Sequence, residues 1–136
     1  MRTAFVTGAT DGVGRLVAKQ PTAKGFRMLV HGRSRERGES LVREIAAAGG
    51  TATFLQADLA SLAEVRTLAE AVKAETSKLD LLINNAGIGS TGDKPGRQVS
   101  ADGHELRFAV NYLSGFLLTH LLLPLLKAAA PSRIVN

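Results

Sequence analysis

The chain has 136 residues, one domain's worth, and a chain of that size buries roughly two-thirds of its extended surface, enough for a real core. Hydrophobic residues make up 45% and charged residues 21%, which argues against a disordered segment, and the lack of cysteine excludes a disulfide framework, a thiolate metal site and a thiol nucleophile. The net charge of +5 comes from Lys and Arg interspersed with Asp and Glu, and aromatics are only 4%, so the surface reads as solvated and basic and no nucleic-acid partner is expected.

The amino terminus enters a short apolar run at once, without a secretory h-region, and a cytoplasmic location is expected. Apolar runs of β type fall at Ala4–Thr7, Phe26–His31, Thr51–Gln56 and Leu79–Asn84. Their near-continuous apolarity, as in Met28-Leu29-Val30 and Leu81-Leu82-Ile83, fits a parallel sheet covered on both faces. Pro21 falls inside the first helical pattern, so that helix is expected to end or kink before it. Ser34 is placed to cap a helix running to Ala48, with Leu41, Val42 and Ile45 on one face. Ser61 with Glu64 has the spacing of a capping box ahead of Leu62, Val65, Leu68, Ala69 and Val72.

A loop over Gly89–Gly103 separates the fourth strand from a last helix, expected from about His104 to Lys127, with Asp102 and Glu105 as a second capping box. Its apolar stretch, Tyr112–Leu126, is shorter than the roughly 20 residues that cross a bilayer, so a buried helix with a kink at Pro124 is expected and no membrane span. Arg133–Asn136 opens a fifth strand. Alternation of strands and helices with right-handed crossovers makes residues 1–136 one α/β, Rossmann-type doubly wound parallel sheet, truncated after the start of that strand.

Thr7-Gly8-Ala9-Thr10-Asp11-Gly12-Val13-Gly14 stands where the first strand turns into the first helix. Glycines there turn the backbone tightly, bring peptide N–H groups against a pyrophosphate, and let helix and strand pack closely. A site for NAD wants a carboxylate about 20 residues on, for the ribose 2′-hydroxyl; Arg33 stands there instead, nineteen residues after Gly14, with Arg37 following. An arginine fork matches the oxygens of a 2′-phosphate, so NADP is the expected cofactor; the bland alternative is a solvated helix start.

Asp58-Leu59 follows the third strand, Asn84-Asn85-Ala86-Gly87 the fourth, and Asn111 lies in Phe108-Ala109-Val110-Asn111-Tyr112. With the glycine turn, these motifs resemble the short-chain dehydrogenase/reductase family, and the stretch from Ala101-Asp102-Gly103 to Leu125-Leu126 is similar to its retinol dehydrogenase-like branch. The resemblance runs along essentially the whole chain. It implies that Gly8, Thr10, Asp11, Gly12 and Val13 line the pyrophosphate turn, and that Asp58 and Leu59 flank the adenine. It further implies that Asn85, Ala86 and Gly87 lie along the adenosine ribose, and that Asn111 is the active-site Asn whose carbonyl holds a water in the proton relay.

In that family a Tyr exchanges a proton with the substrate oxygen, a Lys four residues on lowers its pKa, and a Ser orients the carbonyl. Tyr112, the one tyrosine, has Phe116 four residues on, and Ser114 reads as a packing residue. The parent is therefore expected to be an NADP-dependent oxidoreductase acting on a small alcohol or carbonyl, and the 136-residue chain to lack turnover. A non-catalytic NADP-binding or sensor module, or an interaction protein using the apolar last helix, are the rival readings. His31, His104 and His120 are too scattered for a metal site and read as ordinary histidines. The apolar last helix implies association into a homo-oligomer.

Overall fold

The computed structural model describes residues 1–89 and 96–136. In chain order the elements are β1 (Arg2–Val6), α1 (Gly12–Lys19), β2 (Phe26–Gly32), α2 (Arg35–Ala47), β3 (Thr51–Gln56), α3 (Leu62–Glu75), β4 (Leu81–Ile83), the last helix α4 (Leu106–Ala128) and β5 (Arg133–Val135). The five strands form one sheet in the order β3-β2-β1-β4-β5, every pair parallel. The order reverses between β1 and β4, and in such sheets the crevice at that point, outside the carboxyl ends of the strands, is where ligands bind.

Alternate residues of each strand go to opposite faces. Phe5, Leu29 and Leu82 meet Val65, Leu68, Ala69 and Val72 of α3 and Leu118, Leu122 and Leu126 of α4 in one core. Ala4, Val6, Met28 and Val30 meet Ala18 of α1 and Leu41 and Ile45 of α2 in the other. Both faces of the sheet are covered, as continuous apolar strands require.

Helix α1 ends at Lys19, and Pro21 opens a 3-10 turn over Pro21–Lys24, as expected from its missing N–H. Ser34 and Ser61 cap α2 and α3, each accepting at 3.3 Å from the N–H three residues on. The capping box at Ser61 forms only by half. The Ser61 N–H is already taken by the Asp58 carbonyl at 3.1 Å, so the Glu64 carboxylate accepts from the Asp58 N–H at 3.0 Å.

The second box does not form, and α4 starts two residues later than expected. Ser100 and His104 close a tight turn, Ser100 N–H on the His104 carbonyl at 2.7 Å and His104 N–H on Ser100 Oγ at 3.2 Å. Glu105 then caps α4, its carboxylate accepting from the Phe108 N–H at 2.8 Å, a bond that holds the carboxyl below its usual pKa range. Asp102 instead accepts from the Leu62 N–H at 2.9 Å and so caps the start of α3. Ser90 to Pro95, within the expected loop, lie outside the described residues. Strand β4 is shorter than expected because the Leu79 N–H goes to the Leu125 carbonyl at 3.1 Å and not to the sheet.

One expectation for α4 is corrected. It is not covered all round: Ser114, Leu118, Leu122 and Leu126 are buried, while Phe108, Tyr112 and Phe116 on another face are about half exposed or more, their rings stacked at centroid distances of 5.4 and 6.2 Å. The sheet and α3 reach only one side of the helix. Its length is close to the expected one: its 23 residues, running on through Pro124, are long and apolar enough to cross a membrane by length and composition alone.

The burial pattern predicts a sharp contrast between two helical leucines. Replacing Leu122, fully buried, by Ala should lower unfolding free energy by about 2–5 kcal/mol, whereas Leu16→Ala, at a side chain 65% exposed, should change it by less than about 0.5 kcal/mol. Chemical denaturation of the two variants measures both; equal losses would contradict the assignment of helix faces.

Candidate functional site

The loop after β1 is held by its neighbours through side chains that act twice. Thr7 Oγ1 accepts from the N–H of Asn85 and of Ala86, both at 3.1 Å, and the Asn85 amide donates back to the carbonyls of Thr7 and Gly8 at 3.2 and 3.1 Å. Asn85 is thus spent on the turn. Glycine is needed at two places here. Gly8 has φ +63° and a Cβ on it would lie 2.8 Å from Ala86 Cα, while a Cβ on Gly14 would lie 2.1 Å from the Gly8 carbonyl oxygen.

The turn delivers the chain into α1 with its first donors unused. The Arg15 N–H makes the first helical bond, to the Asp11 carbonyl at 3.1 Å, and no described group accepts from the N–H of Gly12, Val13 or Gly14. Asp11 holds the capping position, yet its carboxylate makes no capping bond. A helix start with free N–H groups carries partial positive charge and attracts anions, phosphates above all.

These groups line a cleft of about 620 Å³ at the carboxyl ends of β1 to β4. Every residue that the sequence assigned to the cofactor, from Gly8 through Arg33 and Asp58 to Gly87, lies on its wall. On the β2 side Arg33 is exposed and makes no side-chain hydrogen bond or ion pair with the described residues. Arg37 is 3.5 Å from the Asp11 carboxylate, both side chains largely in water, so the pair is weak and the acid is partly balanced. On the β3 side one oxygen of Asp58 accepts from the Ala60 N–H at 2.9 Å in its own turn, and Leu59 is 5% exposed, mostly part of the core. Val13, 69% exposed, stands at the cleft mouth.

Asn111 is apart from the others. It sits in a π-helical turn, Ala109–Leu113, that sequence periodicity did not show. Its side-chain amide is locked on Ile88, accepting from the Ile88 N–H at 2.7 Å and donating to the Ile88 carbonyl at 2.9 Å, which ties α4 to the loop after β4. Ser114 is 1% exposed and donates to the Val110 carbonyl at 2.6 Å, as a packing residue does. Between β4 and the π turn a cavity of about 30 Å³ touches Asn84, whose amide oxygen is buried without a partner among the described residues, along with Asn111 and Ser114. Among the described residues no group of three or more His, Asp or Glu is arranged to hold a metal ion.

Two residues escaped the sequence reading, Thr7 and His31. Thr7 carried no signal beyond its place in the turn. The His31 ring is buried under the glycine turn, with Nδ1 3.1 Å from the Gly8 nitrogen and Nε2 2.9 Å from the Ala57 carbonyl oxygen. Burial pushes its pKa below the ordinary value, against the upward pull of the Ala57 carbonyl and Asp58; Arg33 adds to the lowering.

Comparisons with known proteins agree with this geometry. The family model described as "short chain dehydrogenase" matches residues 2–136. Human "Dehydrogenase/reductase SDR family member 13" is 44% identical over 98% of this chain, which spans 34% of that protein's length; mouse "Retinol dehydrogenase 11" is 43% identical over 99% of the chain and 42% of its own length. A metagenomic short-chain oxidoreductase solved in complex with NADP superposes with a TM-score of 0.86 at 32% identity, over 99% of this chain and 61% of that one. The chain spans well under half the length of these curated relatives. A family match from residue 2 to residue 136, on a parallel sheet that superposes on a solved short-chain oxidoreductase, makes one conclusion: the chain belongs to the short-chain dehydrogenase family.

Proposed function

We propose that the cleft binds NADP, and that the protein to which this chain corresponds moves hydride between the nicotinamide and an alcohol or carbonyl carbon. The observation that carries the cofactor assignment is the row of unused N–H groups at Gly12, Val13 and Gly14, with the unpaired Arg33 guanidinium on the same wall. The first suits a pyrophosphate and the second a ribose 2′-phosphate. Gly8, Thr10 and Asp11 frame the pyrophosphate place in this reading, Asp58 and Leu59 the adenine, and Ala86 and Gly87 the adenosine ribose. The nicotinamide, when bound, would supply or take the hydride; the residues named here would hold the pyrophosphate and the adenosine end.

The substrate is read as a lipophilic alcohol or ketone, in keeping with the retinol named for the mouse relative. Asn111 acts in this reading through its place in the π turn, beside the cleft formed by α4 and β5. The chain's tyrosine, Tyr112, stacks between Phe108 and Phe116 and has no lysine partner four residues on. The 136-residue chain is therefore read as a cofactor-binding unit without turnover. The exposed Phe108–Tyr112–Phe116 ladder favours association of α4 with a second copy, since large aromatic patches on a soluble monomer are unusual.

Losing a charge-assisted contact at Arg33 should weaken NADPH binding by about 1.5–3 kcal/mol while leaving NADH nearly unchanged. Parallel titrations of both cofactors into wild type and Arg33→Ala test this, and equal NADPH affinity in the two proteins sinks the assignment. In the same cuvettes NADPH absorbance should stay constant when ketones and aldehydes are added; its oxidation would show that the chain holds an acid group of its own.

The association follows from the aromatic face of α4. Light scattering after size exclusion, over a range of concentrations, should give a dimer or larger species for wild type and a smaller species for Phe116→Glu. A dilution-insensitive wild-type monomer would refute it.

A further inference from the structure

The glycine turn is supported from below by a titratable ring. Two consecutive N–H groups of the turn end on one residue: Gly8 N–H on His31 Nδ1 at 3.1 Å, and Ala9 N–H on the His31 carbonyl at 2.8 Å. On the far side of the ring Nε2 is 2.9 Å from the Ala57 carbonyl, at the end of β3. These partners leave one protonation state. A backbone N–H only donates, so Nδ1 must be bare; a carbonyl only accepts, so Nε2 must carry the proton. The neutral ring then bridges the ends of β1 and β3 from its place on β2, 3% exposed.

A second proton has one place to go, Nδ1, and there it would confront the Gly8 N–H with another donor at 3.1 Å. Either the ring leaves or the turn does, and a buried N–H left without an acceptor is costly in both cases. Gly8 has little room to adjust, since it approaches Ala86 closely and its carbonyl is held by Asn85. We propose that neutral His31 is a positioning residue of the cofactor site, holding the Gly8 peptide in place for the pyrophosphate, so that taking up a proton there releases the turn and weakens NADP binding. The proposal rests on the reading that this cleft binds NADP.

The charges around the ring are Asp58 from the end of β3, which favours its protonation, and Arg33 from its own strand end, which opposes it. Asp11 and Arg37 stand paired on the rim of the same cleft. Burial is the largest influence and keeps the ring neutral. With the folded pKa lowered, the ring's contribution is complete above the unfolded value near 6.5 and is lost as the pH falls below it toward the folded pKa. The phosphates of a bound dinucleotide add negative charge above the turn and act in the opposite sense. The direction of the measured pH dependence therefore decides between the hydrogen-bond conflict and the field.

The experiment is a titration of NADP+ into the 136-residue chain, wild type, His31→Asn and His31→Leu, from pH 8 to pH 5. Asn offers an oxygen near the place of Nδ1 and does not titrate; Leu offers nothing. At pH 8 His31→Leu should bind about tenfold more weakly than wild type, with His31→Asn recovering most of the loss. The 2′-phosphate itself titrates near pH 6, and this cancels in the ratio of wild-type to His31→Asn dissociation constants. That ratio should rise in acid, steepening toward about tenfold per pH unit below the imidazole pKa. A ratio that is flat or falls overturns the inference while leaving cofactor binding intact. Failure of all three proteins to bind at pH 8 overturns the cofactor reading and the inference with it. Nitrogen-15 correlation spectra of the ring give a test independent of ligand: a proton on Nε2 alone supports the arrangement, and one on Nδ1 at pH 8 refutes it.

Discussion

The cleft exists because the strand ends around it are bound to one another by paired hydrogen bonds, and these converge on the loop between β1 and α1. Thr7 and Gly8 after β1 and Asn85 and Ala86 after β4 share four such bonds, and His31 adds two from β2. A loop of three glycines in eight residues is entropically expensive to order by itself. Here the N–H groups of Thr7, Gly8 and Ala9 and the carbonyls of Thr7 and Gly8 are taken up by neighbours on both sides, while the donors at the start of α1 have no acceptor among the described residues. The same constraint explains why Gly14 tolerates no side chain: the turn folds back so closely that its own Gly8 carbonyl fills the place of a Cβ. Order in the loop and availability to an anion are two results of one arrangement.

What the sequence revealed was what short-range pattern encodes. The sheet followed from apolar runs, the stop at Pro21 from a missing donor, and the starts of α2 and α3 from Ser34 and Ser61, because each depends on residues within a turn of one another. What stayed hidden depends on partners far along the chain. Asp102 has the spacing to cap its own helix and instead caps α3, forty residues earlier, because the turn held by Ser100 and His104 points it there. His31 looked ordinary because a lone histidine carries no pattern; its role appears when Gly8 and Ala57 close on the two ring nitrogens. The residues of the candidate site were named from glycine spacing and family resemblance, and the fold brings all but Asn111 onto one wall. Asn111 lies beside that wall, its amide bonded to Ile88, which lines the same cleft.

Helix α4 shows how composition alone misjudges environment. Its leucines leave no polar side, which suggested complete burial, but a sheet and one neighbouring helix bury fully the stripe through Leu118, Leu122 and Leu126 and only partly Leu117, Leu121, Leu123 and Leu125. The stacked rings of Phe108, Tyr112 and Phe116 and the exposed residues Ile134 and Val135 of β5 remain as apolar surface. Relatives more than twice as long as this chain match over 98–99% of it.

We propose that the N–H groups at the start of α1 and Arg33, which has no side-chain partner among the described residues, together recognise NADP. A crystal structure of the chain grown with NADP+ tests it most directly. Pyrophosphate oxygens should lie within about 2.7–3.2 Å of the N–H groups of Gly12 and Val13, and the 2′-phosphate on the Arg33 guanidinium. A dinucleotide bound with its pyrophosphate away from the glycine turn, or with the 2′-phosphate turned away from Arg33 into solvent, would contradict it.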